Sequence, residues 1–247
     1  MSNAQLYPEV GTGVLSRLGA WFYCAVVLEI LVVVTSLPGM AGLLFLDRSP
    51  SNLPLVVACL LPVGPSLAAC LFAWHHWATT PPSQRDLRPA AAFWRGWRLN
   101  WRDVLLWWVP MLVVLALLGS GAVNAGLVYG DARDGHVSVS TLAYLALAVM
   151  VLVWSGNALV LTSLFSFRTR DVARLAAFYL AAKPVVGLGV LGLLVVGTAG
   201  VLFVGDGLLL VSAAVLASLL LRTSRPMVHE VRTRFVAPGP SGPHVAQ

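Results

Sequence analysis

Long apolar runs without charge, separated by short polar segments, form the main pattern of this 247-residue chain. Three of these runs, 104–130, 136–167 and 184–205, contain no Asp, Glu, Lys or Arg. A helix needs about 20 apolar residues to cross roughly 30 Å of hydrocarbon. The pattern therefore predicts an all-α polytopic membrane protein with one domain over 1–236. We expect a bundle of about six transmembrane helices, at about 16–38, 53–78, 104–128, 138–164, 184–204 and 207–224.

The last predicted span is the shortest one. Its apolar part, 207–221, has 15 residues and reaches about 22 Å as a helix. Such a helix crosses the bilayer only if Arg222 and Arg225 extend their side chains to the interface. A re-entrant hairpin over 184–224 is the alternative to two full crossings.

Prolines predict where the helices bend. Pro62 and Pro65, on either side of Gly64, predict a kink in the second span, and Pro110 predicts one in the third. A kink exposes backbone carbonyls, so the segment 62–66 is either a cavity wall or an irregular packing contact.

Basic residues fall in alternate connections between the predicted spans. Fourteen of the sixteen are assigned to one side of the membrane, and only Arg48 and Arg133 to the other. The positive-inside rule then places both termini in the cytoplasm. Residues 237–247 are predicted to be a disordered cytoplasmic tail. The turns on the outer side carry acidic residues instead: Asp47, Asp131, Asp134 and Asp206.

Composition agrees with a membrane protein and argues against other classes. The chain is 58% hydrophobic and 11% charged, whereas ordinary soluble domains have about 25% charged residues. The net charge of +6 comes from residues that flank apolar runs, so we expect no nucleic-acid partner. Cys24, Cys59 and Cys70 lie in predicted spans without the spacing of metal ligands, which favours buried thiols.

Two inner connections are predicted to form amphipathic helices at the membrane interface. In the first, which starts near Leu87, one face collects indole rings and the neighbouring face collects guanidinium groups. Indole rings favour the headgroup zone and guanidinium groups favour anionic lipid, so this helix should lie flat on the inner leaflet. The alternative is that the same helix docks a cytoplasmic partner. The residues that form the two faces are Trp94, Trp97 and Trp101 beside Arg95, Arg98 and Arg102.

A short internal repeat points to the second amphipathic helix. Residues 85–94 align with residues 170–179, and five of the ten positions are identical. The same offset superimposes later predicted spans on earlier ones. This favours successive hairpins, each followed by an inner amphipathic helix.

Glu29 is the main candidate for intramembrane chemistry, because it falls midway along the first predicted span. A charged carboxylate there costs at least ~2.5 kcal/mol and by default marks a functional site. The alternative is a protonated Glu29 that stabilises helix packing through a hydrogen bond to Thr35, Ser155, Asn157 or a backbone carbonyl. Asn124 and Asn157 are further polar candidates, both for hydrogen bonds between helices.

Two other motifs have structural interpretations. Gly187, Gly189 and Gly192 match the GxGxxG spacing of dinucleotide sites, but they lie in an apolar run without the strand that such a site needs. His75 and His76 are adjacent, point to different faces of a helix and are expected to be interfacial anchors. No Walker A, HExxH, GxSxG or paired-acid motif occurs, so we predict no enzyme activity, no cofactor and no metal.

Several segments resemble the YesL-like family of small bacterial membrane proteins, a domain family of unassigned function. They are Ser36-Leu37-Pro38, the segment 62–69, the aromatic-Arg-Gly-aromatic-Arg stretch within 93–103, and 170–184. The segment between Pro38 and Pro62 is longer than the family usually has. The resemblance implies association with carbohydrate-uptake systems and supplies no catalytic residues.

These observations lead to two functional hypotheses. The first is a non-enzymatic inner-membrane protein that is accessory to, or regulates, carbohydrate uptake, with sugar ABC transporter subunits as partners. The second is a stand-alone small-solute or ion transporter that uses Glu29 in a proton-coupled cycle. The oligomeric state is left open.

Overall fold

The computed structural model describes residues 13–46, 49–81, 88–129, 138–204 and 207–235. In these ranges every regular element is helical, which confirms the all-α prediction. The described ranges hold a 3₁₀ turn, Pro50–Asn52, and nine α-helices: α1 (Val14–Leu44), α2 (Leu53–Cys59), α3 (Val63–Thr79), α4 (Pro89–Tyr129), α5 (Val139–Leu164), α6 (Thr169–Ala182), α7 (Pro184–Val204), α8 (Gly207–Thr223) and α9 (Arg225–Phe235).

Four candidate membrane spans emerge from the described helices, and a fifth is formed by a bent pair. The four are Leu15–Leu43, Leu53–Thr79, Pro89–Gly126 and Val139–Leu164. The pair α6 and α7 meets at 99°, which fits a broken span or a re-entrant loop. The protein is thus compatible with a multi-pass membrane bundle, whereas the predicted number of six spans is not confirmed.

Several predicted features lie outside the described residues. These are Arg48 and Arg133, the first residues of the first amphipathic segment (85–87), the acidic residues of the outer turns and the tail over 237–247.

The second span is interrupted, as its prolines predicted. Helix α2 ends at Cys59 and α3 begins at Val63, with Pro62 at its N-cap. Prolines lack an N–H and interrupt the helical hydrogen-bond pattern. Here the Leu60 and Pro62 carbonyls accept the Val63 and Ser66 N–H groups at 3.1 and 3.3 Å, and side chains add a second donor to each. The Trp108 Nε1–H donates to the Leu60 carbonyl at 3.0 Å, and the Ser66 hydroxyl donates to the Pro62 carbonyl at 2.7 Å. The break is therefore an internally bonded packing contact.

Helix α4 joins two elements that the sequence analysis separated. It runs without a break over 41 residues, through Pro110, so the prediction of a separate helix that lies flat before the third span is wrong. Neither Gly nor Pro lies between Trp97 and Val104, and the residues there favour helix continuation. At 1.5 Å per residue α4 is about 61 Å long, twice the hydrocarbon thickness, so its first turns project beyond the span.

The second predicted amphipathic helix is present as α6. It buries Val172, Ala176 and Tyr179 on one face, and the turn at Lys183 separates it from α7 because Pro184 disfavours a helical residue before it. The repeat fails at the level of packing. Tyr179 is buried, whereas its aligned partner Trp94 is exposed. The two segments therefore present different faces to the core, and one continues into a span while the other bends away.

Helix α3 is the centre of the bundle and contacts α1, α4, α5 and α8. Without a hydrophobic driving force in lipid, small residues at helix contacts permit the close approach that dispersion forces require. Small residues on all sides of α3 supply them. The buried residues of this helix include Gly64, Ser66, Ala68, Ala69, Cys70 and Ala73.

Indole N–H groups link neighbouring helices at four points. Besides Trp108, the Trp107 Nε1–H donates to Thr162 Oγ1 at 3.1 Å, and the Trp154 Nε1–H donates to the Ala173 carbonyl at 3.2 Å. These bonds connect α4 with α5 and α5 with α6. The fourth, from Trp74, belongs to the site described below. Each ring fills space between helices while its polar group is satisfied, a combination that few side chains offer in apolar surroundings.

Basic residues of several connections meet at one end of the bundle. Lys183, at the start of α7, forms a 2.9 Å ion pair with Glu230 of α9, and Arg234 pairs with the same carboxylate at 3.2 Å. The hydrogen bond from Lys183 lowers the pKa of the Glu230 carboxyl. Helix α9 is thereby held against the bundle, with Met227 and Val231 buried beneath it.

Candidate functional site

Glu29 lies half-buried on α1, where α1 contacts α8. Both of its carboxylate oxygens accept backbone N–H groups: Ala213 N donates to Oε1 at 3.0 Å, and Ala214 N donates to Oε2 at 2.7 Å. Each carboxyl oxygen thus acts as the acceptor of one backbone N–H. The two hydrogen bonds join α1 to α8.

The donors belong to the body of α8 and not to its first turn. Helix α8 begins at Gly207, and an interior N–H ordinarily donates to the carbonyl four residues earlier. Glu29 shares or replaces that bond at two consecutive residues. The carbonyl of Ala214 accepts the Trp74 Nε1–H at 2.9 Å. Glu29 from α1 and Trp74 from α3 therefore hold the same segment of α8.

The partners predicted for Glu29 are not the ones it has. Thr35 Oγ1 donates to the Leu31 carbonyl at 2.7 Å and to Ser66 Oγ at 2.8 Å. Ser155 Oγ donates to a carbonyl of its own helix at 2.7 Å. The prediction of a side-chain or carbonyl partner is wrong. Its partners are the backbone N–H groups of Ala213 and Ala214, which cannot be identified from residue types in the sequence.

The predicted hydrogen bonds of Asn124 and Asn157 between helices are also absent from the described part of the chain. Asn157 is fully buried on α5, and neither its Nδ2 nor its Oδ1 has a described partner. Asn124 is exposed on α4.

A cavity of about 380 Å³ opens where α1, α3, α8 and α9 meet. Three indole rings, of Trp21, Trp74 and Trp77, form one of its walls. The ring centroids of Trp21 and Trp74 are 5.8 Å apart, and those of Trp74 and Trp77 are 5.7 Å apart with planes at 89°. Because Trp74 is also hydrogen-bonded to α8, the wall is held in one geometry.

The charged and titratable side chains that line this cavity are all basic. They are Arg222, Arg225, Arg232, His75 and His229. Arg232 reaches from α9 to α3, where its Nη2 lies 3.4 Å from Nε2 of His75. A guanidinium only donates, so His75 accepts at Nε2 as a neutral ring. His76 is exposed, in agreement with the prediction that the two histidines point to different faces.

Acidic side chains do not offset this charge within the described residues. The acids described there are Glu29, Asp103, Asp171 and Glu230, and none of them lines the cavity. The described ion pairs of Glu230 go to Lys183 and Arg234 and leave the three cavity arginines without a carboxylate. The sequence pattern predicts Arg222 and Arg225 to be lipid anchors. The cavity needs four helices to form, so no local pattern predicts it.

The predicted tryptophan–arginine face of α4 is divided by the fold. Trp97 is partly buried and stacks on the buried Phe93 at a centroid distance of 6.3 Å. Trp94 and Trp101 are exposed, and Arg102 lies over the Trp101 ring at 5.0 Å. A second, shallower depression is lined by Ala91, Trp94, Arg95, Arg98 and Leu99. We refer to this set as the α4 surface.

The GxGxxG glycines have a packing role. They lie in α7, and the described residues include no strand beside them. A Cβ at Gly189 would overlap Cγ2 of Thr223 on α8, whereas one at Gly192 would meet nothing within 4 Å. Gly189 is therefore the point where α7 and α8 approach closely, as small residues permit in membrane helices.

We expect Gly189→Val to lower the free energy of unfolding by about 1–3 kcal/mol, because the added atoms force α7 and α8 apart. Gly192→Val, on the same helix and equally apolar, should change it by less than about 1 kcal/mol. Chemical denaturation in detergent measures both. Equal losses in the two variants would contradict the close contact at Gly189.

Metal and thiol chemistry have no assembled site in the described ranges. There, no three His, Cys, Asp or Glu side chains are placed to hold a metal ion. Cys24 and Cys70 are buried free thiols and Cys59 is a half-buried one, as expected for small hydrophobes.

Comparison of the chain with protein-family models, curated protein sequences and solved structures finds no match.

Proposed function

We propose that the chain is a non-enzymatic multi-pass protein of the bacterial inner membrane that assists or regulates carbohydrate uptake by an ABC-type transporter. The candidate spans support a membrane location. The resemblance of 93–103 and 170–184 to the YesL-like family supports the link to carbohydrate uptake. Both termini are proposed to be cytoplasmic, since the basic ends of the helices collect on one side.

The observation that carries the proposal is the α4 surface. Trp94 is 42% exposed and Leu99 is 61% exposed, and they lie on the part of α4 that precedes the uncharged run 104–130. This part is about 15 residues long and extends roughly 22 Å from the start of that run. A helix held rigidly by its own span, with an exposed indole flanked by arginines, has the composition of an interface centre.

The orientation of α4 favours a protein partner over a purely lipid-bound brace. A helix that only anchors to the interface lies parallel to the membrane, whereas the first turns of α4 continue directly into a span. Phe93 is buried and Trp97 packs against the core. A Cβ at Gly96, between them, would lie 2.8 Å from the Phe72 side chain of α3, so this segment is held close to α3. The face left uncovered can therefore meet a transporter subunit beside the bundle without any rearrangement.

Affinity purification in mild detergent tests this proposal. With wild-type bait from cells grown on different sugars, we expect sugar ABC transporter subunits to be recovered. Combining Trp94→Ala with Leu99→Ala should reduce their recovery about tenfold or more, because exposed tryptophans at interface centres contribute at least about 2 kcal/mol.

The matched control is Phe178→Ala, which removes an exposed aromatic ring from α6 outside the α4 surface. It should leave recovery unchanged. Failure of wild-type bait to recover transporter subunits on any sugar would count against the accessory function. Equal recovery with wild type and the double variant would count against the α4 surface.

The transporter hypothesis receives less support from the site. A proton relay needs several polar groups along a path, whereas both oxygens of Glu29 are engaged by the backbone of α8. The two hydrogen bonds favour a structural role for this carboxylate.

A further inference from the structure

The cavity between α1, α3, α8 and α9 combines an indole wall with three arginines that no described carboxylate neutralises. We propose that it binds the anionic phosphate ester of an amphipathic molecule, and that an anionic phospholipid of the inner leaflet is the source at hand. The inference is independent of the accessory function, since it rests on residues outside the α4 surface.

The charges that face the cavity favour an anion. Arg225 and Arg232 project from the same side of α9, because they are seven residues apart, or about two helical turns. His229 lies on this face as well, while Glu230 points away and pairs with Lys183. Guanidinium groups offer fixed pairs of N–H donors that match phosphate oxygens. Unneutralised arginines brought together by folding repel one another, and an anion between them removes that repulsion.

The aromatic lining of the cavity favours a ligand with an apolar part. Trp21, Trp74 and Trp77 all line it, and neighbouring rings are tilted against one another by 31° and 89°. A small hydrated anion gains nothing from such a wall, whereas a glycerol backbone or the first methylenes of an acyl chain would bury apolar surface there. The ligand is therefore expected to be amphipathic.

Size and position agree with a lipid headgroup. About 380 Å³ is within the roughly 300–1,000 Å³ range of small-molecule sites. The cavity lies at the ends of α3 and α8, next to the point where the chain passes from α8 to α9. Basic pockets between membrane helices on the cytoplasmic side are typical of sites for anionic headgroups.

Native mass spectrometry of the full chain in neutral detergent tests the proposal, with phosphatidylglycerol and phosphatidylcholine as probes. We expect wild-type protein to retain phosphatidylglycerol at least tenfold more tightly than phosphatidylcholine, whose choline would face the arginines. Combining Arg225→Gln with Arg232→Gln should remove that preference, since two charge-assisted contacts are lost.

The matched control combines Arg170→Gln with Arg174→Gln, which removes the same charge from exposed positions on α6. It should keep the preference. A competition arm with glycerol 3-phosphate and inorganic phosphate identifies the source. If soluble phosphate displaces the lipid at equal concentration, the site serves a soluble phosphate ester. If only lipid binds, it serves the membrane.

Two results would overturn the proposal. One is equal retention of both lipids by wild-type protein with no binding of soluble phosphates, a measurement that requires no variant to fold. The other is an equal loss of preference in the α9 and α6 double variants, because the attraction would then be a general effect of charge. Since neither double variant alters the α4 surface, recovery of transporter subunits reports separately on the accessory function.

Discussion

Glu29→Gln is expected to lower the free energy of unfolding by roughly 3 kcal/mol and the melting temperature by on the order of 6–12 °C. The carboxylate accepts two backbone N–H groups with two oxygens. An amide has only one acceptor, so its NH₂ group would face either Ala213 N–H or Ala214 N–H, donor against donor. One backbone donor would then lose its partner in apolar surroundings, and the α1–α8 contact would loosen. Thermal unfolding in detergent measures the loss.

Asp103→Asn is the matched control, because it makes the same chemical change at an exposed residue of α4. It should shift the melting temperature by less than about 2 °C.

Solute flux into liposomes separates the two hypotheses for Glu29. If the role of this carboxylate is structural, Glu29→Gln lowers the melting temperature, and any loss of flux accompanies that loss of stability. Abolished flux of a transported solute, at unchanged melting temperature, would instead support the proton-coupled transporter.

Gly39→Ala is expected to be the most damaging single-methyl addition in α1, at about 3 kcal/mol. The new Cβ would overlap the carbonyl oxygen of Cys59 and lie 2.9 Å from Cγ of Pro62. These atoms belong to the break between α2 and α3, so a backbone segment and a proline ring would have to move. No side-chain rotation can relieve the overlap.

Gly19→Ala, on the same helix, is expected to have the opposite effect on stability. A Cβ at Gly19 meets nothing within 4 Å, and alanine has a higher helix propensity than glycine by about 1 kcal/mol. Denaturant titration should therefore show stabilisation at position 19 and destabilisation at position 39. A gain at both positions would falsify the close contact between α1 and the break.

Much of the helical layout could be predicted from the chain, for two physical reasons. Hydrocarbon thickness sets the length of an apolar run, and proline sets where helices start and break. The predicted span over 138–164 corresponds to Val139–Leu164, and that over 184–204 to Pro184–Val204. The break before Val63 follows from the prolines of the second span.

Predictions from local sequence patterns were wrong where two predicted helices could either join into one helix or stay separate. Charge and apolar pattern change between Arg102 and Val104, which suggested a helix end, yet the backbone propensities there favour continuation and α4 is unbroken. The repeat failed for a related reason. The identical pairs Ala91/Ala176, Ala92/Ala177 and Phe93/Phe178 each have one buried and one exposed member, since burial depends on how each helix is rotated against its neighbours.

By itself the sequence determined that this protein is helical, apolar over membrane-length segments and basic at alternate connections, because these properties depend on residues close together along the chain. Only the tertiary structure decided that Glu29 binds the backbone of α8, that Trp97 packs inward while Trp94 stays exposed, and that three arginines share a cavity with three indoles. Those contacts join residues as far apart as Glu29 and Ala214. They depend on the rotation and axial offset of whole helices, which packing against α3 sets and no local pattern encodes.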